Sequence, residues 1–175
     1  MSDFDAATDA ESPLPTAPEA LLRRLDELGI ASRSVSHPPV FTVEEAKALR
    51  GELPGSHIKN LFLRNKKGQM WLVTCLEDRA VDLKVLGERL GAGRFSFGSA
   101  ERLMTHLGVR PGAVTPFAVI NDRAGAVTMA LDSGIMGDGP VNCHPLVNTM
   151  TTALAPEDLV RFLEAENHAP QMLDF

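Results

Sequence analysis

Lys59 lies where a charged side chain is uncommon. If residues 58–64 form a strand, alternation puts Lys59 on one face together with Leu61 and Leu63. Its neighbour Asn60 then points to the opposite face. A lysine at the start of an apolar face can project into a cleft and act as a fixed cation for a polar or anionic ligand. By spacing alone, the commoner outcome is that the side chain passes the strand end and reaches water.

Residues 143–151 concentrate polar side chains where no helix is predicted. The segment reads Cys-His-Pro-Leu-Val-Asn-Thr-Met-Thr. Pro145 holds His144 in extended geometry, and Asn148 and Thr149 are typical of a turn that hydrogen-bonds its own backbone. Because histidine can orient or deprotonate a water near neutral pH, His144 is a candidate for hydrolytic chemistry. A purely structural loop is the alternative.

A glycine-proline loop, residues 112–116, is the third candidate. It runs from Gly112 to Pro116 with Ala-Val-Thr between them. Glycine lets a ligand approach the backbone closely, and the free N–H groups of such a loop can donate to a phosphate or to a developing oxyanion. The spacing is not that of a Walker loop or a dinucleotide-binding loop.

Several other chemistries are disfavoured by the residue types. The sequence has no paired cysteines at metal-ligand spacing and its 5 histidines are scattered, so neither a zinc site nor a cofactor is expected. Cys143 is adjacent to His144, which is poor placement for a nucleophile and its base, and it is interpreted as a small apolar filler. There is no Gly-x-Ser-x-Gly motif. A hydrolase with this sequence would therefore use water.

Local patterns predict the elements that must position these residues. Thr16 and Thr42 each precede a glutamate at capping-box spacing and are predicted to begin two helices, the second of which ends at Gly51. Pro156 suits the first turn of a final helix. Residues 58–64 and 69–76 are expected to form one hairpin, and residues 116–121 and 126–132 another. The remaining predicted elements are a strand before residue 37, helices at 82–90 and 99–107, and a short strand at 94–97.

The order of these elements is a mixed α+β pattern in a single domain. Strands and helices do not alternate regularly enough for a doubly wound parallel sheet. Residues 1–15 are rich in Asp, Ala, Ser and Pro without periodicity and are predicted to be a disordered leader. Residues 16–175 are expected to form the folded domain.

Composition indicates a globular protein outside the membrane. The chain has 175 residues, of which 44% are hydrophobic and 23% charged. No apolar run approaches the roughly 20 residues of a membrane span. The acidic N-terminus lacks the basic start of a signal peptide, and 2 cysteines make no disulfide framework. A cytoplasmic location is the expectation.

The net charge of −6 argues at first against nucleic acid. The charge is uneven, however, because residues 44–110 carry 12 bases and 8 acids, whereas residues 111–175 carry 2 bases and 8 acids. The basic middle indicates either one positive face or charges scattered over solvated surfaces. DNA binding is not expected, since there is no helix-turn-helix pattern with a basic recognition helix.

Four stretches of the sequence resemble the YbaK/prolyl-tRNA-synthetase-associated editing family. They are His-Pro-Pro-Val-Phe-Thr-Val-Glu-Glu-Ala at residues 37–46, Lys-Asn-Leu-Phe-Leu-Arg at 59–64, Gly-x-x-x-Pro at 112–116 and His-Pro-Leu-x-Asn-Thr-x-Thr at 144–151. The likeness is greatest to the free-standing alanyl-tRNA(Pro) deacylases and runs from about residue 16 to 163. Several motifs in order are far more specific than any one of them.

The resemblance implies a mixed domain with a partly closed, barrel-like sheet and surrounding helices, which hydrolyses the ester between a wrong amino acid and the terminal adenosine of tRNA. It implies catalytic roles for Lys59 near the aminoacyl-adenosine, for the backbone at Gly112, and for His144 in the pocket wall. The residues expected to contact substrate are Asn60, Pro116, Phe41, Thr42, Asn148 and Thr149.

The expected function is hydrolysis of mischarged Ala-tRNA(Pro), with prolyl-tRNA synthetase as a further partner. The base is left open between the ribose hydroxyl of the substrate and a polar network that includes His144. One alternative is the same fold editing Cys-tRNA(Pro), Ser-tRNA or Thr-tRNA. Another is a catalytically silent module that binds tRNA or a synthetase. Lys59 and the glycine loop together favour an enzyme.

Overall fold

The first helix, α1, spans Pro18–Glu27, with proline in the first turn, where its missing N–H leaves no bond unmade. The capping box predicted at Thr16 is wrong, because Ala17 is the N-cap and makes no side-chain cap. The Thr16 hydroxyl instead donates to the side chain of Asn121, at 2.6 Å from Oγ1 to Oδ1, a partner supplied by a distant segment. The computed structural model describes residues 13–39, 42, 44–45, 48 and 53–175.

Eight strands of the described residues form one mixed sheet. They are β1 (Ser32–Ser36), β2 (Ser56–Arg64), β3 (Met70–Leu76), β4 (Ser96–Phe97), β5 (Val127–Asp132), β6 (Val141–Cys143), β7 (Met150–Leu154) and β8 (Gln171–Leu173). The order is β1-β7-β6-β2-β3-β5-β8, with β4 paired to β2. The pairs β2–β6, β3–β5 and β5–β8 are parallel and the others antiparallel. Within the described residues β1 and β8 do not pair, so the sheet is open. The predicted fold class, a mixed sheet with surrounding helices, is confirmed.

The first predicted hairpin is confirmed, since β2 and β3 pair antiparallel across a short turn. The second is wrong. Residues 116–121 form a 3₁₀ helix, and β5 pairs in parallel with β3. Pro116 lacks the N–H that a strand ladder requires. The Thr115 hydroxyl accepts from the N–H of Phe117 at 3.3 Å, which starts the helical turn instead.

Within the described residues, three further complete helices pack against the sheet. α2 spans Leu83–Arg89, α3 spans Ala100–Leu107, and α4 spans Pro156–Ala165. The predicted N-caps are confirmed for two of them. Asp82 accepts from two backbone N–H groups of α2, and Ser99 accepts from one of α3.

Part of the predicted helix after Thr42 lies outside the described residues. The N–H of Glu45 donates to the Thr42 hydroxyl at 3.0 Å, which is the capping bond expected there. The predicted end of that helix at Gly51 is among the residues that are not described, as are residues 1–12 of the predicted leader.

Buried side chains lie on both faces of the sheet. The larger cluster joins one face to helices α1, α3 and α4, and its rings include Phe117 and Phe162, edge to face at 5.3 Å. The smaller cluster packs the other face against α2, with Trp71 and Phe95 at 5.0 Å. In the part of the chain that the structure describes, no helix is long and apolar enough to cross a membrane.

Candidate functional site

One edge of strand β2 is interrupted where the candidate residues lie. β3 pairs along one edge of β2. On the opposite edge, β6 pairs only with the first two residues of β2 and β4 only with the last two. Among the described residues, no strand pairs with this edge at residues 58–62, where the carbonyl of Phe62 accepts from the N–H of Gly98 and residues 58–61 are left open. We call this opening the β2 gap, and Lys59 and Asn60 lie in it.

Lys59 is held by a backbone carbonyl. Its side chain is half-buried, and its ammonium group donates to the carbonyl oxygen of Arg79. It lies on the face of the smaller cluster, with Leu61 and Leu63, as the alternation of the strand predicts. The ammonium therefore does not extend freely into water, and its position is set by the turn that follows β3.

Asn60 points to the other face of the sheet and connects β2 to the glycine-proline loop. Its side-chain carbonyl accepts from the hydroxyl of Thr74 at 2.6 Å. Its side-chain amide donates to the backbone carbonyl of Val114 at 3.0 Å. The structure thus brings Asn60 and residues 112–116 together, although Lys59 and Asn60 themselves face opposite ways.

The loop begins with a tight turn that requires glycine. The N–H of Ala113 donates to the carbonyl of Arg110 at 3.0 Å, and Gly112 has a φ of 89°. Proline followed by glycine at positive φ is the pattern of a type II turn. Pro116 at the other end of the loop is buried, so the loop is anchored on both sides of Val114.

Two backbone N–H groups of this loop are available as hydrogen-bond donors to a ligand. In the described part of the chain, the N–H groups of Gly112 and Val114 form no hydrogen bond. Gly112 and Val114 are both half-buried rather than enclosed. Such N–H groups are suited to a carbonyl oxygen or to a developing oxyanion.

His144 is held as a neutral imidazole. Its Nδ1 lies 2.9 Å from the carbonyl oxygen of Met150, which can only accept, so Nδ1 carries the proton and Nε2 is left as an acceptor. Burial lowers the pKa of His144 below its ordinary value, the Met150 bond opposes this, and the nearby His37 lowers the pKa further. A neutral ring with an accepting Nε2 can orient or deprotonate a water.

His37 lies beside His144, although it is not among the predicted site residues. Its ring centroid lies 6.1 Å from that of His144, and its Nε2 lies 2.8 Å from the hydroxyl of Thr151. Its backbone N–H donates to the carbonyl of Thr149 at 2.9 Å. Both histidines precede a proline, and this shared His-Pro pattern is a signal by which His37 could have been found.

The register of the parallel strands relates Lys59 to His144. His57 of β2 is paired with Asn142 of β6. Lys59 lies two residues past this last pair on β2, and His144 lies one residue past the end of β6. Both residues therefore come where β2 and β6 separate at the β2 gap.

Arg79 and Asp132 are also missing from the predicted site. They form an ion pair behind Lys59, with Nε of Arg79 at 2.9 Å from Oδ2 of Asp132. Burial opposes a charged Asp132, but hydrogen bonds from Arg79 and from two backbone N–H groups outweigh it and lower the pKa of this carboxyl. Nothing local in the sequence pairs these residues, which lie 53 positions apart.

The other residues predicted to contact substrate are Phe41, Thr42, Asn148 and Thr149. Thr42 is exposed and caps its own helix turn, and Phe41 lies outside the described residues. Asn148 is half-buried in the turn between β6 and β7, and Thr149 there is exposed. A cavity of about 1080 Å³ lies beside Thr151 on the outer face of β1 and β7, but the proposed catalytic residues do not line it.

Two segments joined at the far end of the β2–β3 hairpin carry four basic residues. Arg64 is paired with Ser96 of β4, and the side chain of Asn65 donates to the carbonyl of Ala92 at 3.0 Å. These contacts join two segments, residues 61–70 and 91–98, that contain no acidic residue. We call the surface they form the basic surface; its cations are Arg64, Lys66, Lys67 and Arg94.

Comparison with known proteins identifies the family. The model of the aminoacyl-tRNA editing domain matches residues 37–162. The chain is 38% identical over 153 residues to prolyl-tRNA editing protein ProX of Acetoanaerobium sticklandii, covering 87% of this chain and 93% of that protein. It is 39% identical over 181 residues to prolyl-tRNA synthetase associated domain-containing protein 1 of Danio rerio, covering 100% of this chain and 98% of that protein.

The fold agrees with this assignment. The solved structure of a candidate trans-editing enzyme for prolyl tRNA synthetase superposes with a TM-score of 0.69 at 19% identity, covering 91% of this chain and 96% of that one. The chain belongs to the aminoacyl-tRNA editing domain family, as its motifs predict. The expected enzyme class, an aminoacyl-tRNA deacylase, is the class to which this family and these relatives point.

Proposed function

We propose that this chain hydrolyses the aminoacyl ester of mischarged tRNA(Pro) in trans, with Ala-tRNA(Pro) as its preferred substrate. The observation that carries the proposal is the β2 gap: Lys59 lies in it on one face of the sheet, and on the other face Asn60 connects it to the loop of Gly112 and Val114. The relatives named for prolyl-tRNA editing and for prolyl-tRNA synthetase support the choice of tRNA.

In this proposal each group has a defined role. Lys59 anchors the terminal phosphate or ribose of the tRNA. The N–H groups at Gly112 and Val114 polarise the ester carbonyl and stabilise the oxyanion that forms when water attacks. The base is either the vicinal ribose hydroxyl or Nε2 of His144. Asn60 acts on the same chemistry by holding the carbonyl of Val114 in place.

The preference for alanine rests on size. A synthetase pocket built for proline cannot strongly exclude a smaller residue, because missing methylene contacts are worth only about 1–3 kcal/mol. A second site that admits alanine and rejects proline by steric clash removes the error. Residues 58–61 at the β2 gap are half-buried, which is consistent with the lining of a small pocket.

The acceptor end of tRNA is the proposed partner, and the basic surface its proposed contact. Single-stranded nucleotides lead from the terminal adenosine to the acceptor duplex, so cations some distance along β2 from Lys59 are placed to meet the backbone. With few cations, the hold on tRNA is weak and sensitive to salt. Association with prolyl-tRNA synthetase and a cytoplasmic location belong to the same proposal.

The test is deacylation of a panel of charged tRNA(Pro). Wild-type protein is incubated with Ala-, Pro-, Cys- and Ser-tRNA(Pro), and loss of the labelled amino acid is followed over time. Hydrolysis of Ala-tRNA(Pro) well above that of the other three supports the proposal. Preference for Cys- or Ser-tRNA(Pro) would establish the same chemistry with another specificity, whereas tRNA binding without turnover would establish a silent module.

A further inference from the structure

The carboxylate of Asp132 contacts both ends of the turn that holds Lys59. Its Oδ2 accepts from the N–H of Leu76 at 3.0 Å, where the turn begins. At the end of the turn its two oxygens accept from Nε and Nη2 of Arg79, at 2.9 and 3.2 Å. The N–H of Arg79 closes the turn on the carbonyl of Leu76 at 3.1 Å. The carbonyl of this same Arg79 then accepts from the ammonium of Lys59.

The carboxylate of Asp132 is buried, and both of its oxygens accept hydrogen bonds. Asp132 has 0% of its surface exposed, and its Oδ1 also accepts from the N–H of Gly134 at 2.8 Å. Each oxygen therefore accepts two hydrogen bonds. Every partner of Asp132 is a donor, so an asparagine there would turn its own N–H₂ group toward donors and lose the bonds on one side.

We infer that Asp132 is a positioning residue for deacylation: it fixes the turn from Leu76 to Arg79, and through the carbonyl of Arg79 it sets where the ammonium of Lys59 lies in the β2 gap. The inference rests on the proposed function, because the position of Lys59 affects a rate only if Lys59 contacts the aminoacyl-tRNA.

The physical reason is the flexibility of lysine. The side chain is a flexible four-carbon stem, and one carbonyl at a fixed place selects a few of its conformations. A displacement of about 1 Å in a group that positions substrate can cost on the order of a hundredfold in rate. Weakening the turn should therefore lower the rate without removing any atom that touches the substrate.

Two variants disturb this arrangement by different means. Asp132→Asn removes the carboxylate. Gly134→Ala keeps every hydrogen-bonding group, but its Cβ would overlap Nη2 of Arg79 and lie 3.0 Å from Oδ1 of Asp132, so the guanidinium must move. Since Gly134 does not have a positive φ, the change adds no backbone strain.

Each variant has a matched control. Asp122→Asn removes another buried carboxylate, one that accepts from backbone N–H groups and from His168 at the other end of β5. Gly137→Ala adds the same methyl group three residues after Gly134, where nothing lies within 4 Å. All variants are first compared with the wild type by circular dichroism and thermal melting.

Two measurements are then made on the full chain. The first is kcat/KM for Ala-tRNA(Pro). The second is the rate of reductive methylation of Lys59, read by mass spectrometry with exposed Lys66 as internal reference. We expect Asp132→Asn and Gly134→Ala to lower kcat/KM, the former by roughly tenfold or more, and to raise the labelling of Lys59. Asp122→Asn and Gly137→Ala should leave both unchanged.

The inference is overturned if folded Asp132→Asn and Gly134→Ala retain the wild-type rate and the wild-type labelling of Lys59. It is also overturned if only one of the two measurements changes, because Asp132 would then not act on the reaction through Lys59. Failure of the proposed function is a separate result: the wild type itself would hydrolyse none of the mischarged tRNAs, whatever the variants do to the labelling.

Discussion

At the scale of single residues, burial and hydrogen bonding set which groups can react. Burial raises the pKa of the Cys75 thiol to about 11 and raises that of Cys143 as well, so both thiols stay protonated near neutral pH. His144 is shifted the other way and stays neutral. Water, activated beside a neutral histidine or by the ribose, is thus a better nucleophile for this site than either cysteine.

Replacing Lys59 with alanine should abolish most of the activity and leave the fold intact. The side chain makes one described hydrogen bond and is only half-buried, so its loss should change stability by no more than about 1 kcal/mol. Loss of the anchor should lower kcat/KM by about a hundredfold. The control is Lys84→Ala, an exposed lysine on α2 outside the basic surface. Full deacylation by a folded Lys59→Ala protein would refute the assigned role.

The contribution of His144 should depend on pH in one direction. Its pKa is lowered from the ordinary value of 6.5, and the neutral ring is the proposed active form. The ratio of wild-type to His144→Gln rates should therefore be constant above pH 6.5 and fall toward one only at more acid pH. Using the ratio removes the general dependence of ester hydrolysis on hydroxide. A ratio of one at every pH would leave the ribose hydroxyl as the base.

At the scale of elements, the candidate site lies where strand pairing along β2 is interrupted and where the loop at residues 112–116 ends in a helix. β6 and β4 each pair with only two residues of β2, which leaves the β2 gap between them. The loop at residues 112–116 ends in a 3₁₀ helix because proline and Thr115 start a helical turn rather than a strand. The two interruptions are joined by the hydrogen bond from Asn60 to Val114.

Gly112→Ala tests whether the loop backbone takes part in catalysis. Gly112 has a φ of 89°, so alanine there should cost about 1–2 kcal/mol of stability. Gly125 has a φ of 69° with nothing near its Cβ, and Gly125→Ala should cost a similar amount. Only Gly112→Ala should reduce kcat/KM for Ala-tRNA(Pro). Equal activity of the two variants, measured at a temperature where both are folded, would remove the donor role.

At the scale of the whole molecule, the distribution of charge matters more than its sum. The net charge is −6, yet the two segments of the basic surface, residues 61–70 and 91–98, contain four cations and no acidic residue. This is enough for a short contact with an acceptor end and too little for strong non-specific binding. Phe97 on this surface is 62% exposed and offers a ring to an unpaired base.

Removing two cations from the basic surface should lower the affinity for tRNA and make that affinity less dependent on salt concentration. For Lys66→Ala/Lys67→Ala, the slope of log K against log salt should become shallower by about 1 to 2. The matched control is Arg23→Ala/Arg33→Ala, which removes two exposed charges on α1 and β1, three strands away from β2. Binding is measured with uncharged tRNA(Pro) at several salt concentrations. Equal slopes for the two variants would place the tRNA elsewhere.

Local sequence patterns determine most of the secondary structure and the family. The caps at Asp82 and Ser99, the β2–β3 hairpin and the face shared by Lys59 and Leu61 all follow from residues within a few positions of each other. The motifs identify the family for the same reason, since each of them is a short run of residues in the sequence. Lys59, Gly112 and His144 are therefore candidates on the strength of residue type and spacing alone.

Tertiary structure alone decides how these candidates meet. The parallel pairing of β5 with β3 and the pair of Arg79 with Asp132 join residues more than 50 positions apart, and the strands that border the β2 gap pair with residues of β2 more than 30 positions away. Local patterns carry no information on such pairings, because strand partners and buried ion pairs are selected by packing across the whole sheet. The sequence by itself supplies a lysine at the start of an apolar strand; only the fold shows the carbonyl that holds it and the carboxylate behind that carbonyl.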